Sequence, residues 1–202
     1  MANSEQRAVV VVEGVSDQIA IETLARRRGR DLAGEGVSVL PMGGAHAIRR
    51  FLNDFGPCGA DIPLAGLCDA GEEDDFRRAL ERAGFGSDLT RAQMEDLGFY
   101  VCVADLEDEL IRALGANTVE EIIAAEGDLH RFRTLQKQAA WQGRPAEQQL
   151  RRFMGSGGGR KIRYARILVD ALDLGRVPRP LDRVLSRTNI RSYQSGSTAK
   201  PL

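Results

Sequence analysis

Five consecutive apolar residues, Ala8–Val12 (AVVVV), run straight into Glu13-Gly14. A β-branched run of this kind has no polar alternation, so it predicts a strand buried on both faces, as in a parallel sheet. A carboxylate at its end is costly to place near an apolar layer unless it has a task. The same arrangement recurs. Val37–Leu40 predicts a second strand, ending in the turn Pro41-Met42-Gly43-Gly44. Leu64–Cys68 predicts a third, ending at Asp69. Gly98–Ala104 (GFYVCVA) predicts a fourth, ending at Asp105.

Helical periodicity separates these runs. Ser16 is the expected cap of a helix from Asp17 to about Arg28. Ala45–Phe55 has Ile48, Phe51, Leu52 and Phe55 on one stripe, and Glu73–Ala83 has Phe76, Ala79, Leu80 and Ala83. Leu106–Leu114 completes the fourth pair and stops near Gly115. Four strand–helix alternations predict an α/β fold, a mostly parallel four-stranded sheet flanked by helices. Binding sites in such sheets form at the carboxyl ends of the strands.

From Asn117 onward helices are expected at Thr118–Ala125, Leu129–Gln138, Ala146–Met154 and Lys161–Leu172, with the Gly155–Gly159 stretch between the last two and one short helical turn at Leu181–Leu185. The expected organisation is an α/β domain over 1–116, a basic helical extension over 117–187 and a disordered polar tail over 188–202. Charge follows this division. Residues 127–202 hold 16 Lys+Arg against 5 Asp+Glu, whereas residues 1–126 hold 12 against 24. An acidic first part suits cations, and a basic second part suits phosphate backbone or simply the acidic part itself.

No apolar run approaches the ~18 residues of a membrane span, and the N-terminus has no apolar core of a signal peptide. A cytoplasmic protein without membrane contact is the expectation. Cys68 and Cys102 lie inside strand-like runs and read as buried spectator thiols. His46 and His130 are isolated, and Trp141 reads as a packing residue.

The acids at the strand ends are Glu13, with Asp17 one turn beyond; Asp69, followed by Glu72-Glu73-Asp74-Asp75; and Asp105, followed by Glu107-Asp108-Glu109. Carboxylates that converge on one sheet edge repel unless they are protonated or share a cation, and hard oxygen donors suit magnesium or manganese. Asp17, Glu72, Glu73, Glu107 and Asp108 each also fit a first helical turn, where acids favour the dipole.

In order, Val11-Val12-Glu13-Gly14, Val37–Gly44, Leu67-Cys68-Asp69 and Asp105-Leu106-Glu107-Asp108 resemble the successive motifs of Toprim domains, in particular those of the OLD (overcoming lysogenization defect) nucleases. The likeness covers roughly residues 8–115. It implies a divalent-metal-dependent nuclease acting on DNA, with RNA left open, and two Mg2+ or Mn2+ ions. It implies Glu13 as the acid/base or metal-binding glutamate, Asp69 as the first metal-binding aspartate, Asp17 and Glu107 as further ligands, and Lys161 as the lysine near the scissile phosphate. The second aspartate of the family's Asp-x-Asp falls on Gly71 here, so Glu72 or Glu73 must substitute, with Glu73 taken as the ligand. Arg151, Arg152, Arg160, Lys161 and Arg163 are the expected nucleic-acid contacts. The chain has no P-loop: Lys161 is followed by Ile162 and no strand precedes the Gly-rich stretch. An ATPase module of the OLD type is therefore expected as a separate subunit, and a homodimer is left open. The competing reading is a non-catalytic module with a decayed metal site at Gly71.

Overall fold

The computed structural model describes residues 6–157 and 159–188. Four parallel strands, β1 (Ala8–Val12), β2 (Val37–Pro41), β3 (Leu64–Cys68) and β4 (Phe99–Val101), form one sheet in the order β2-β1-β3-β4. β1 is interior and every one of its residues is buried, which is why its sequence does not alternate. Its side chains do alternate in direction. Val10 and Val12 enter a core with Ala65 and Leu67 of β3, while Val9 and Val11 enter the opposite core with Leu64, Cys68 and Phe99. Full burial of a valine is worth about 1.5–3 kcal/mol, so β1 anchors both layers.

One layer contains α2 (Ile48–Phe55), α3 (Glu73–Arg82) and α4 (Arg91–Asp96), whose Ile48, Leu52, Phe76, Leu80 and Met94 are buried there. The other contains α1 (Val15–Arg27) and α5 (Leu106–Leu114). It continues without a break into α6 (Ala116–Ala125), α7 (Leu129–Gln136), α8 (Ala146–Gly155), α9 (Arg160–Ala171) and α10 (Arg179–Arg187). α1 packs along α9. Arg27 Nη1 donates to the carbonyls of Val169 and Leu172, each at 2.7 Å, and so closes the C-terminal end of α9. Arg30 Nη1 does the same for α10, donating to Leu185 at 2.9 Å.

The structure differs from the sequence expectations in several places. α1 begins at Val15, with Gly14 as its cap, not Ser16: Asp17 reaches back and accepts the Gly14 N–H at 2.9 Å. β4 is only three residues long. Gly98 takes φ 97°, and by Val103 the chain has turned so that its N–H donates to the Glu109 carboxylate at 2.8 Å. α4 has no counterpart among the expected helices. α10 has nine residues rather than one turn, with Pro180 near its start, where the missing N–H costs nothing. Of the expected disordered tail, Thr188 is buried and its hydroxyl donates to Leu185 O at 2.7 Å; residues 189–202 lie outside the described residues. No described helix is long and apolar enough to cross a membrane.

Candidate metal centre

The strand order reverses beside β1. The chain passes from β1 outward to β2, then returns to place β3 on the other side. A crevice opens at the carboxyl ends on either side of such a switch point. Glu13 and Asp69 stand there. The Glu13 carbonyl accepts the N–H groups of Gly43 at 3.0 Å and Gly44 at 3.3 Å, so the Gly turn after β2 fixes the backbone that carries Glu13. Beyond β3, a single 3-10 turn over Ala70–Glu72 brings Glu72 back toward the crevice, with Glu72 N–H donating to Asp69 O at 3.0 Å. α5 and α1 supply Glu107 and Asp17, both buried.

The electrostatics are those of acids forced together. Burial, then the charges of Glu13, Asp17 and Asp105, lift the Asp69 carboxyl to about 8. Burial and a hydrogen bond with Glu13 lift Glu72 to about 7. Burial lifts Glu107 to about 7, with Asp105 and Asp17 adding to it against the opposing pull of Lys161. Asp17 is raised as well, mainly by burial. Lys161 faces this group, its Nζ 3.2 Å from Glu107 Oε2. Burial works against its charge, but Glu107, Asp17 and Asp69 outweigh burial and keep it protonated.

Two oxygens show what the site lacks. Glu107 Oε1 and Glu72 Oε2 are both buried without a hydrogen-bond partner. A buried carboxylate oxygen without a donor is costly, and a hard cation would satisfy it. The donors present, all carboxylate oxygens, fit magnesium or manganese. Among the described residues, however, no three His, Cys, Asp or Glu side chains already stand as a ready ligand set, so holding an ion requires the carboxylates to draw in.

The two glutamates after Gly71 differ. Glu72 turns to Glu13. Glu73 is held by Arg91, whose Nε donates to Oε1 at 3.2 Å and whose Nη2 pairs with Oε2, and this partner lowers its pKa. The geometry thus offers Glu72, not Glu73, to the crevice. Asp105 was passed over as a site residue. It caps α5, Oδ1 accepting Asp108 N–H at 2.8 Å, and its Oδ2 accepts Arg151 Nε at 2.6 Å. The signal was present as an acid ending a strand three residues before Asp108.

The other expected nucleic-acid contacts have intramolecular partners too. Arg152 lies over the Trp141 ring at 5.9 Å. Arg160 Nη1 donates to Phe153 O at 2.9 Å and to Ser156 O, and Arg163 pairs with Asp128. Cys68 and Cys102 are buried, and burial pushes both thiols up, as inert core cysteines require. A cleft of about 1110 Å3 lies between α1 and the edge strand β2, but none of the crevice acids lines it.

Known proteins share this architecture. Residues 6–70 match the family model "Overcoming lysogenization defect protein-like, TOPRIM domain", a stretch that includes Glu13, Asp17 and Asp69. The C-terminal region of the Xanthomonas campestris pv. campestris OLD protein superposes with a TM-score of 0.74 at 21% identity, covering 94% of this chain and 97% of that one. The C-terminal region of the Burkholderia pseudomallei OLD protein gives 0.70 at 19% identity, covering 92% and 98%. No curated protein matches the sequence. The chain thus has the fold of the C-terminal regions of OLD proteins, and its first part, residues 6–70, is similar to the OLD-like Toprim domain.

Proposed function

We propose that the chain is a divalent-metal-dependent nuclease that hydrolyses phosphodiesters of DNA. The observation that carries this reading is the cluster of half-buried Glu13, Asp69 and Glu72 with buried Asp17 and Glu107 at the β1–β3 switch point, where Glu107 Oε1 has no donor and a lysine stands at the edge. Glu13, Asp69, Glu72 and Glu107 are the residues to hold magnesium or manganese, with Asp17 positioning the Glu13-Gly14 turn. Magnesium or manganese held there would supply an activated water and charge stabilisation for the phosphoryl group. Lys161 brings a fixed positive charge to where negative charge develops on the phosphate. Arg151, tied to Asp105, and the basic faces of α8 and α9 orient the strand. A partner ATPase belongs to this proposal through the OLD likeness alone.

The test is incubation of plasmid and linear DNA with the protein in Mn2+ or Mg2+. Nicking or degradation is expected in the wild type, and Glu13→Gln and Asp69→Asn should remove it. Intact DNA under conditions where an active Toprim nuclease cleaves would sink the enzymatic reading. One observation favours a second reading, a non-catalytic module that binds nucleic acid or an ATPase: Gly71 occupies the second aspartate position of the motif. That reading predicts DNA binding without turnover.

A further inference from the structure

A separate concavity lies at the N-terminal end of α9. Its volume is about 310 Å3, and its walls are Asp128, Arg131, Gly157, Gly159, Arg160 and Arg163. Three guanidinium groups and one carboxylate line it, and two of the three, Arg131 and Arg163, pair with that carboxylate. Asp128, whose side chain is buried, accepts from Arg131 Nη1 at 2.7 Å, from the Tyr164 hydroxyl at 3.1 Å and from Arg163. Its oxygens are therefore fully engaged, and the lining still carries two positive charges beyond what it neutralises.

Arg160 is fixed rather than mobile. Its donors close the C-terminal end of α8, and its guanidinium stacks on the Phe153 ring at 4.1 Å. Gly159 caps α9 at φ 75°, and nothing lies within 4 Å of where a Cβ would stand. That wall is consequently bare backbone beside the first turn of a twelve-residue helix. Burying Asp128 takes Arg131 and Arg163; Arg160, held by the end of α8 and the Phe153 ring, adds a preorganised positive charge to the same lining. Guanidinium forks and a helix N-terminus both match the tetrahedral oxygens of a phosphate.

We infer that this cavity is a second phosphate subsite, which takes a backbone phosphate of the nucleic-acid strand away from the scissile position. The inference rests on the nucleic-acid reading above and assigns Arg131, which lies outside the basic α8–α9 run, to the interface. Lys161 and the Arg160/Arg163 pair sit on one turn of α9, with Lys161 turned to Glu107. A helix with its side chains is roughly 10–12 Å across, and a strand of duplex DNA advances about 3.4 Å per nucleotide. The subsite therefore engages a phosphate within about three nucleotides of the one at Lys161.

The experiment is fluorescence anisotropy of the full chain with labelled single-stranded and duplex DNA, in calcium, over a salt series, alongside Mn2+-dependent cleavage. Arg131→Glu is compared with Arg50→Glu, an equal charge reversal at an exposed arginine on α2. Arg131→Glu should weaken binding at least fivefold more than the control and reduce the salt slope by about one. A thermal melt checks that both variants fold, and Arg131→Lys should recover part of the affinity. If the wild type binds and the two reversals are indistinguishable, the subsite is wrong while the nuclease reading stands. If the wild type neither binds nor cleaves DNA, both fall.

Discussion

Lys161 Nζ sits 3.2 Å from one oxygen of Glu107, while the other oxygen of the same carboxylate is buried with no donor. Half of Glu107 is thus satisfied by the protein itself, and half is left for something the chain does not provide. Lys161 also feels Asp17 and Asp69, and together with Glu107 these acids hold its proton on.

Removing that lysine should therefore weaken the metal-free protein. Lys161→Met is expected to cost about 1–2 kcal/mol of unfolding free energy in EDTA, discounted for the partial exposure of the ammonium. Manganese should recover more stability in the variant than in the wild type, because added cations then carry all the compensation. Chemical denaturation with and without Mn2+ checks both statements; an unchanged midpoint in EDTA contradicts them.

The raised carboxyls set a pH dependence. Asp69 at about 8, and Glu72 and Glu107 at about 7, bind protons in the folded state that their unfolded counterparts have released. From roughly pH 4 upward the folded state therefore holds more protons than the unfolded one, and stability falls as pH rises. The fall should end near pH 7 for the glutamates and near pH 8 for Asp69. Urea unfolding in EDTA at several pH values should show this decline, and saturating Mn2+ should flatten or reverse it. A metal-free protein that grows more stable across that range contradicts the account.

Gly71 is open to repair. A Cβ placed there meets nothing within 4 Å, so Gly71→Asp should fold normally and add an oxygen donor beside Asp69. Mn2+ affinity is expected to rise by about tenfold, an estimate at the lower end of what one ligating or supporting group contributes. Calorimetry decides, with equal affinity as the adverse result.

Gly66 is the opposite case. A Cβ on it would stand 2.6 Å from Phe99 Cδ1 and 3.2 Å from Val11 Cγ2, so the β1–β3–β4 seam accepts no side chain at that position. Gly66→Ala should destabilise by about 1–3 kcal/mol, as overpacking does. A melting temperature equal to the wild type would mean that Phe99 moves freely.

The sequence disclosed the strands because burial on both faces leaves an unmistakable apolar run, and it disclosed Glu13 and Asp69 because a charge ending such a run stands out. It concealed what depends on rotation within a turn. Whether Glu72 or Glu73 enters the crevice is set by the 3-10 turn over Ala70–Glu72 and by Arg91, eighteen residues away, which captures Glu73. Ser16 reads as the cap of α1, but the backbone direction at Gly14 makes Gly14 the cap and Asp17 the acceptor of its N–H. Asp128 could not have been found from local pattern, because its partners Arg163 and Tyr164 come from a distant helix. The short α4 has too few residues for periodicity, although Thr90 and Gln93 form its capping box.

Manganese binding measured by calorimetry on the metal-free protein tests the central claim most directly, with Glu13→Gln/Asp69→Asn as the comparison. The account predicts saturable binding in the wild type and a loss of at least tenfold in affinity in the double variant, with the fold retained. Wild-type protein that takes up no Mn2+, or a double variant that binds it equally well, would contradict it.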